Sequence, residues 1–275
     1  MELIGLFGHP VGHSLSKTMH TAAIKALGIP WEYKLFDIHP SKLSLAIEGI
    51  RLFGLRGVNV TVPHKTAVMP YLDKISDTAR LCGAVNTIVN VDGILSGHNR
   101  DFGGFMEALK YHGFETKGKK ILVFGAGGSA RAIVSALSSL EASVIYLSNR
   151  TLKKAQTLAE GLTNVFPVDF DNKTIDSYIR SVDAIINTTS LGMYPKIVEN
   201  PLDGIHFIPE NLFVFDLIYN PWQTVFLQKA RIAGCKTANG AEMLVRQGAL
   251  SFKLWTGRDA PVDIMRNALA LEGKI

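Results

Sequence analysis

The sequence predicts an α/β protein of two domains, and three observations carry that reading. Short apolar runs alternate with helical spacing along most of the chain, which is the pattern of mostly parallel sheets flanked by helices. A glycine-rich turn, Gly125-Ala126-Gly127-Gly128, stands directly between an apolar run and a helical stretch. The 275 residues, 47% hydrophobic and 19% charged, suffice for two cores of ordinary size.

In the first hundred residues, apolar runs at 3–7, 31–36, 57–62 and 87–91 read as strands, and residues 17–27 and 43–53 as helices. Asp92-Gly93 is a two-residue type I′ hairpin signal leading into 94–97, so this mostly parallel sheet is expected to carry an antiparallel pair as well. A second series opens at Lys119, with strands expected at 121–124, 143–147, 184–187 and 212–217, and ends near Gly240. Its strands are continuous apolar runs, as expected where helices cover both sheet faces. From Glu242 the spacing is helical again, through Leu244, Ala249, Phe252, Leu254, Trp255 and residues 262–271, and this tail is expected to return to the first domain. The expected division is therefore 1–101 with 243–275, and 102–242, with a cleft between the two domains.

Composition narrows the function. Cys82 and Cys235 lie far apart without a CxxC or His-rich neighbourhood, so both read as buried thiols rather than a disulfide or a zinc site. His9, His13 and His20 cluster in sequence but lack Cys, Asp or Glu partners, and no metal is expected. The net charge of +5 suits anionic ligands, yet no basic block with interleaved aromatics points to nucleic acid. No apolar run reaches the roughly eighteen residues of a membrane span, and the first residues lack a basic segment ahead of an apolar one. The cytoplasm is the expected compartment.

Gly125, Gly127 and Ala130 form G-x-G-x-x-A between a strand and a helix, the context that this short motif needs to read as a Rossmann-like dinucleotide loop. Gly125 permits the tight turn, Gly127 a close approach of backbone to pyrophosphate, and Ala130 close packing of helix on strand. The bland alternative is a turn that binds nothing. The segment after the next strand favours a ligand: an acid selecting NAD is replaced by Ser148-Asn149-Arg150-Thr151, with Lys153 and Lys154 after it. Arg150 offers a planar donor fork to a 2′-phosphate, and Asn149, Thr151 and Lys154 add donors, so NADP(H) is the expected cofactor. Otherwise Thr151 simply caps the helix expected over 152–162.

The first domain places polar groups where strands should end. In Gly57-Val-Asn-Val-Thr-Val-Pro-His-Lys65 the valines alternate with Asn59 and Thr61, which should share one face, and Pro63 is expected to open a helix with Lys65 on its first turn. Ser14 and Ser16, Asn86 and Asp101 stand in similar places. Taken singly, Ser14, Ser16 and Asp101 read equally well as helix caps, and Lys65 as a surface lysine.

Together these stretches resemble the shikimate dehydrogenase family along essentially the whole chain: GHSLS, GVNVTVPHK, GAVNTIV, NRDFGGF, VFGAGGSARA, NRT, NTTSLGM, DLIYNP and NGAEMLVRQGA occur in the family's order. The resemblance implies an N-terminal substrate domain, a Rossmann-like NADP domain, and reversible NADPH-dependent reduction of 3-dehydroshikimate to shikimate in aromatic amino-acid biosynthesis. It implies a catalytic pair, Lys65 and Asp101. Ser14, Ser16 and Tyr219 would hold the substrate carboxylate, and Thr61, Asn86 and Gln247 the ring hydroxyls, with Asn59 on the same strand face. Cofactor contacts are implied at Gly125, Ala126, Gly127, Gly128, Ser129, Asn149, Arg150, Thr151, Lys154, Leu217 and Gly240. The protein would act as a monomer or homodimer, and its oxidation of shikimate should be favoured at alkaline pH, because Lys65 must then accept a proton.

Four positions depart from the family's usual residues. Lys17 replaces a proline, Arg100 a threonine, Lys154 an arginine, and Glu242 a small residue. Arg100, beside Asp101, could compete with Lys65 for that carboxylate. Two other readings share the scaffold: an NAD-using quinate/shikimate dehydrogenase, and a non-catalytic NADP-binding regulatory protein.

Overall fold

In the computed structural model, which describes residues 2–273, the chain divides into two compact units. One runs to Phe105 and resumes at Met243; the other is Met106–Glu242. The first unit is built on β1 (Glu2–Gly8), α1 (Ser16–Ala26), β2 (Trp31–Asp37), α2 (Leu43–Leu52), β3 (Gly57–Val60), β4 (Lys74–Ile75), α3 (Asp77–Cys82), β5 (Thr87–Val91) and β6 (Ile94–His98). Its sheet has the order β2-β1-β3-β5-β6-β4. β1 is parallel to β2 and β3, and β4 to β6, whereas β5 runs antiparallel to both β3 and β6. The β5–β6 hairpin turns at Asp92 and Gly93, whose φ values of 52° and 84° are those a type I′ turn requires. The antiparallel β3–β5 pairing lies outside what the apolar pattern showed.

Helices cover both faces of this sheet. On one side Ile4, Leu6 and Val89 pack with Met19 and Ala23 of α1 and with the C-terminal helices α9 (Ala241–Thr256) and α10 (Val262–Gly273), through Val245, Phe252, Trp255, Met265 and Leu269. On the other, Phe7, Val58, Val60, Ile88 and Leu95 pack with Ile47 and Ile50 of α2.

The expected strand at 57–62 is shorter, and the expected helix at Pro63 is absent. Asn59 opposite Thr87 is the last β3–β5 pair, and the Val60 N–H bonds the Asn86 carbonyl, so the strand loses its partner there. The Val62-Pro63 peptide is cis, the His64 N–H donates to the Thr61 carbonyl at 2.9 Å, and the turn leaves Val62 62% exposed instead of interior.

The second unit carries β7 (Lys120–Phe124), α5 (Gly128–Ser139), β8 (Val144–Ser148), α6 (Leu152–Ala159), β9 (Val165–Val168), α7 (Asn172–Ile179), β10 (Ala184–Asn187), β11 (Phe213–Asp216), α8 (Val225–Ile232) and β12 (Lys236–Ala238). Its strands are all parallel in the order β12-β11-β10-β7-β8-β9, the doubly wound arrangement whose switch point lies between β7 and β10. Buried Leu122, Phe124, Ile185 and Val214 form its core with Ile175, Ile179, Phe226 and Leu227 from α7 and α8. α4 (Asp101–Tyr111) spans the Phe105/Met106 junction. Among the described residues no helix is long and apolar enough to cross a membrane.

Candidate active site

Lys65 lies in the turn after β3, not on a helix, and its Nζ donates to Asp101 Oδ2 at 2.7 Å. Their side chains are 11% and 7% exposed, so the pair is largely withdrawn from water, where a charge contact is much stronger than at a surface. Asp101 opens α4 but does not cap it. Asn99 does, its Oδ1 accepting from the Phe102 N–H at 3.1 Å, which leaves the Asp101 carboxylate to Lys65 and to the Asn86 amide, 2.9 Å from Oδ1.

Asn86 is the hub of this cluster. Its Nδ2 also donates to Gln247 Oε1 at 3.3 Å, and its Oδ1 accepts from the Arg100 backbone N–H at 2.7 Å and the Thr87 hydroxyl at 3.0 Å. Gln247 reaches Asn86 from α9 because α4 presents Gly104 to it: a Cβ there would lie 2.7 Å from the Gln247 backbone nitrogen. Gly104, Thr87 and the α9 residue Ser251 belong to this construction and were missed in sequence, where a glycine in a helix and two small hydroxyls carry no distinguishing signal.

Ser14 and Ser16 stand together, with their hydroxyls 3.2 Å apart. The helix they could have capped begins at Ser16 with Leu15 as its cap and no side-chain capping bond. Thr61 follows β3, with its N–H bonded to the Phe7 carbonyl, and its hydroxyl has no protein partner among the described residues. Asn59 differs. It is 4% exposed and its whole carboxamide is engaged: Oδ1 accepts from the Tyr33 hydroxyl at 2.9 Å, and Nδ2 faces the Asn86 carbonyl, Thr87 Oγ1 and Ser251 Oγ at 3.3, 3.3 and 3.1 Å. Asn59, expected among the substrate-binding groups, thus has its amide nitrogen engaged within the first unit and one donor, Tyr33, on its oxygen. His20 of the histidine cluster is buried in the aromatic core, stacked on Tyr33 at 4.5 Å, where burial pushes its pKa down to about 3 and keeps it neutral.

Tyr219 belongs to the second unit, which carries the dinucleotide loop. Gly125, at φ +105° and with a Cβ position 2.4 Å from Thr188 Oγ1, admits only glycine. Gly127 is the exposed cap of α5 and lends it no side-chain bond. Buried Ala130 lets α5 close on the sheet. Thr151 stands at the cap of α6, which ends at Ala159, and makes no side-chain capping bond; the Asn149 amide donates to the Thr151 carbonyl at 2.9 Å and so closes the loop itself. Arg150 and Lys154 are exposed, and among the described residues neither has an ion pair. Leu217 and Gly240 touch: a Cβ on Gly240 would come within 1.9 Å of the Leu217 carbonyl oxygen. Ala126 lies half-buried in the loop. A helix start with glycine at its cap, Gly125 and Gly240 that tolerate no Cβ, and an exposed arginine after β8 fit a dinucleotide with a 2′-phosphate.

Comparison with known proteins agrees with this geometry. The family model for the shikimate dehydrogenase substrate-binding domain matches residues 6–88, that for shikimate/quinate 5-dehydrogenase 107–217, and that for the shikimate 5-dehydrogenase C-terminal domain 240–270. The chain belongs to the shikimate dehydrogenase family. The shikimate dehydrogenase (NADP(+)) of Moorella thermoacetica is 46% identical over 97% of this chain and 92% of its own. The crystal structure of shikimate 5-dehydrogenase from Thermus thermophilus in complex with NADP(H) and shikimate superposes with a TM-score of 0.88 at 37% identity, covering 98% of this chain and 99% of that one. Quinate dehydrogenase from Corynebacterium glutamicum in complex with NAD gives the same TM-score, 0.88, at 30% identity, covering 98% and 99%.

In this member of the shikimate dehydrogenase family Arg100 makes no ion pair with Asp101 among the described residues. Its Nη2 lies 3.3 Å from His98 Nδ1, and its backbone serves Asn86. Burial, and then the Arg100 charge, push the His98 pKa down, which keeps that imidazole an acceptor. The carboxylate is left to Lys65 and Asn86.

Proposed function

We propose that the protein reduces 3-dehydroshikimate to shikimate with NADPH, reversibly, with Lys65 as proton donor and charge partner and Asp101 holding it in place. The observation that carries this reading is the buried 2.7 Å contact of Lys65 with Asp101, braced by Asn86. NADP(H) supplies or takes up the hydride at the ring carbon. As the carbonyl oxygen gains charge, the Lys65 ammonium stabilises it and delivers the proton; in oxidation the neutral amine takes the proton back. Asp101 fixes the direction in which the ammonium points. The hydroxyl of Thr61 and the paired hydroxyls of Ser14 and Ser16 are the natural ligands for the substrate's hydroxyl and carboxylate groups, with Gln247 and Asn86 beside the pair.

The unit to Phe105 with the C-terminal helices is read as the substrate domain and Met106–Glu242 as the cofactor domain. The dinucleotide is held by residues 125–129, by Arg150 with Asn149, Thr151 and Lys154, and by Leu217 and Gly240. A cytoplasmic monomer or homodimer, with Cys82 and Cys235 as buried free thiols, completes the reading.

Steady-state kinetics with shikimate and quinate, each with NADP and NAD, tests it. The highest kcat/KM is expected for shikimate with NADP; a preference for quinate with NAD assigns the protein to the rival activity, and binding without turnover in any combination to the regulatory one.

A further inference from the structure

Asp101 and Arg100 fix which way the Asn86 amide is turned, and a buried set of polar side chains continues from it away from the carboxylate. A carboxylate only accepts, so the Asn86 atom 2.9 Å from Asp101 Oδ1 is the amide nitrogen, and the Arg100 N–H at 2.7 Å fixes the amide oxygen on the other side. That oxygen only accepts, so the Thr87 hydroxyl donates its single proton to it, at 3.0 Å. Thr87 Oγ1 then accepts from the Asn59 amide at 3.3 Å and shares a 2.8 Å contact with the Ser251 hydroxyl, whose one proton also faces the Gln247 carbonyl at 3.0 Å. With Asn59 turned nitrogen-first toward Thr87 and Ser251, its oxygen faces Tyr33, whose hydroxyl donates at 2.9 Å. Tyr33, Asn59, Thr87 and Ser251 are each less than 5% exposed.

We infer that Tyr33, Asn59, Thr87 and Ser251 form a buried relay of donors that positions Asn86, and through it Asp101 and Lys65, for catalysis. The inference rests on the proposed function. None of the four touches the reacting atoms; they are positioning residues. Each bond orients the next, and chains of this kind strengthen one another in a low-dielectric interior. Removing the Thr87 hydroxyl leaves Asn86 Oδ1 with one donor and the Asn59 amide with one acceptor fewer, so the carboxamide that braces Asp101 can swing. Tyr33 governs the far end, while its ring stays stacked on His20 whether or not it carries a hydroxyl.

The test is the kinetics of Thr87→Val, Thr87→Ser and Tyr33→Phe for shikimate oxidation with NADP+. Thr87→Val is expected to lower kcat about tenfold while the KM values for shikimate and NADP+ stay within about twofold, the loss of one bond that acts through positioning. Thr87→Ser, which keeps the hydroxyl, should recover kcat to within about twofold of the parent, and Tyr33→Phe should lower it about threefold. A parental kcat for Thr87→Val, or equal impairment of the Val and Ser variants, overturns the relay. Should Thr87→Val fail to fold, Tyr33→Phe decides, and a parental kcat there overturns it. An active parent with unaffected variants refutes the relay alone; a parent without turnover refutes the proposed function, and the relay with it.

Discussion

Replacing Lys65 with alanine is expected to lower kcat for shikimate oxidation about a thousandfold while changing the shikimate KM by less than about tenfold. The split follows from where the ammonium acts. Its partner in the resting protein is Asp101, at 2.7 Å, and its contribution to the reaction comes as the ring oxygen gains or loses charge. An interaction made mainly in the transition state shows in kcat, whereas uniform binding shows in KM. The Asp101 carboxylate of the variant still accepts from Asn86, so the site is not stripped of every partner. Thermal unfolding of the variant, run beside the kinetics, separates a lost proton donor from a lost fold. A kcat close to the parent's refutes the role given to Lys65.

Arg150→Ala is expected to weaken NADP(H) about thirty- to a hundredfold and NAD(H) by less than about threefold, the scale of a charge-assisted, bidentate contact to a phosphate group. Arg150 is exposed just beyond β8, and no acidic residue stands at 148–151 to claim a free 2′-hydroxyl. Lys154, also exposed, adds a point charge but not a planar fork, so it is not expected to rescue the loss. Titration of both cofactors against parent and variant checks this, and an equal loss for both contradicts the assignment of the 2′-phosphate to Arg150.

Much of the second unit was legible because parallel strands under two helical layers must be apolar on both faces, and residues 121–124 and 184–186 are just such runs. The edges were not. β9 contains Pro167 and β12 is Lys236-Thr237-Ala238; both are edge strands, where a missing N–H or a polar side chain is tolerated. In the first unit, alternation of Val58 and Val60 with Asn59 revealed a strand with a polar duty. It could not reveal that the turn at Val62-Pro63 ends it early, nor that the duty of Asn59 is internal. That depends on Tyr33, Thr87 and Ser251, which lie 26, 28 and 192 residues away in sequence. Lys65 and Asp101 were recognisable only through the surrounding motifs, since a single lysine after a turn and a single aspartate at a helix start have ordinary structural uses. The same limit hid Arg100: its identity announced a rival cation, while only its contact with His98 shows where the charge goes.

The most direct test of the account is a crystal structure of the protein with shikimate and NADP+ bound. It should place Lys65 Nζ within about 3.2 Å of the hydroxyl oxygen on the carbon to be oxidised, with Asp101 still on its other side. A complex in which that nitrogen points into bulk water, out of reach of the substrate, contradicts it.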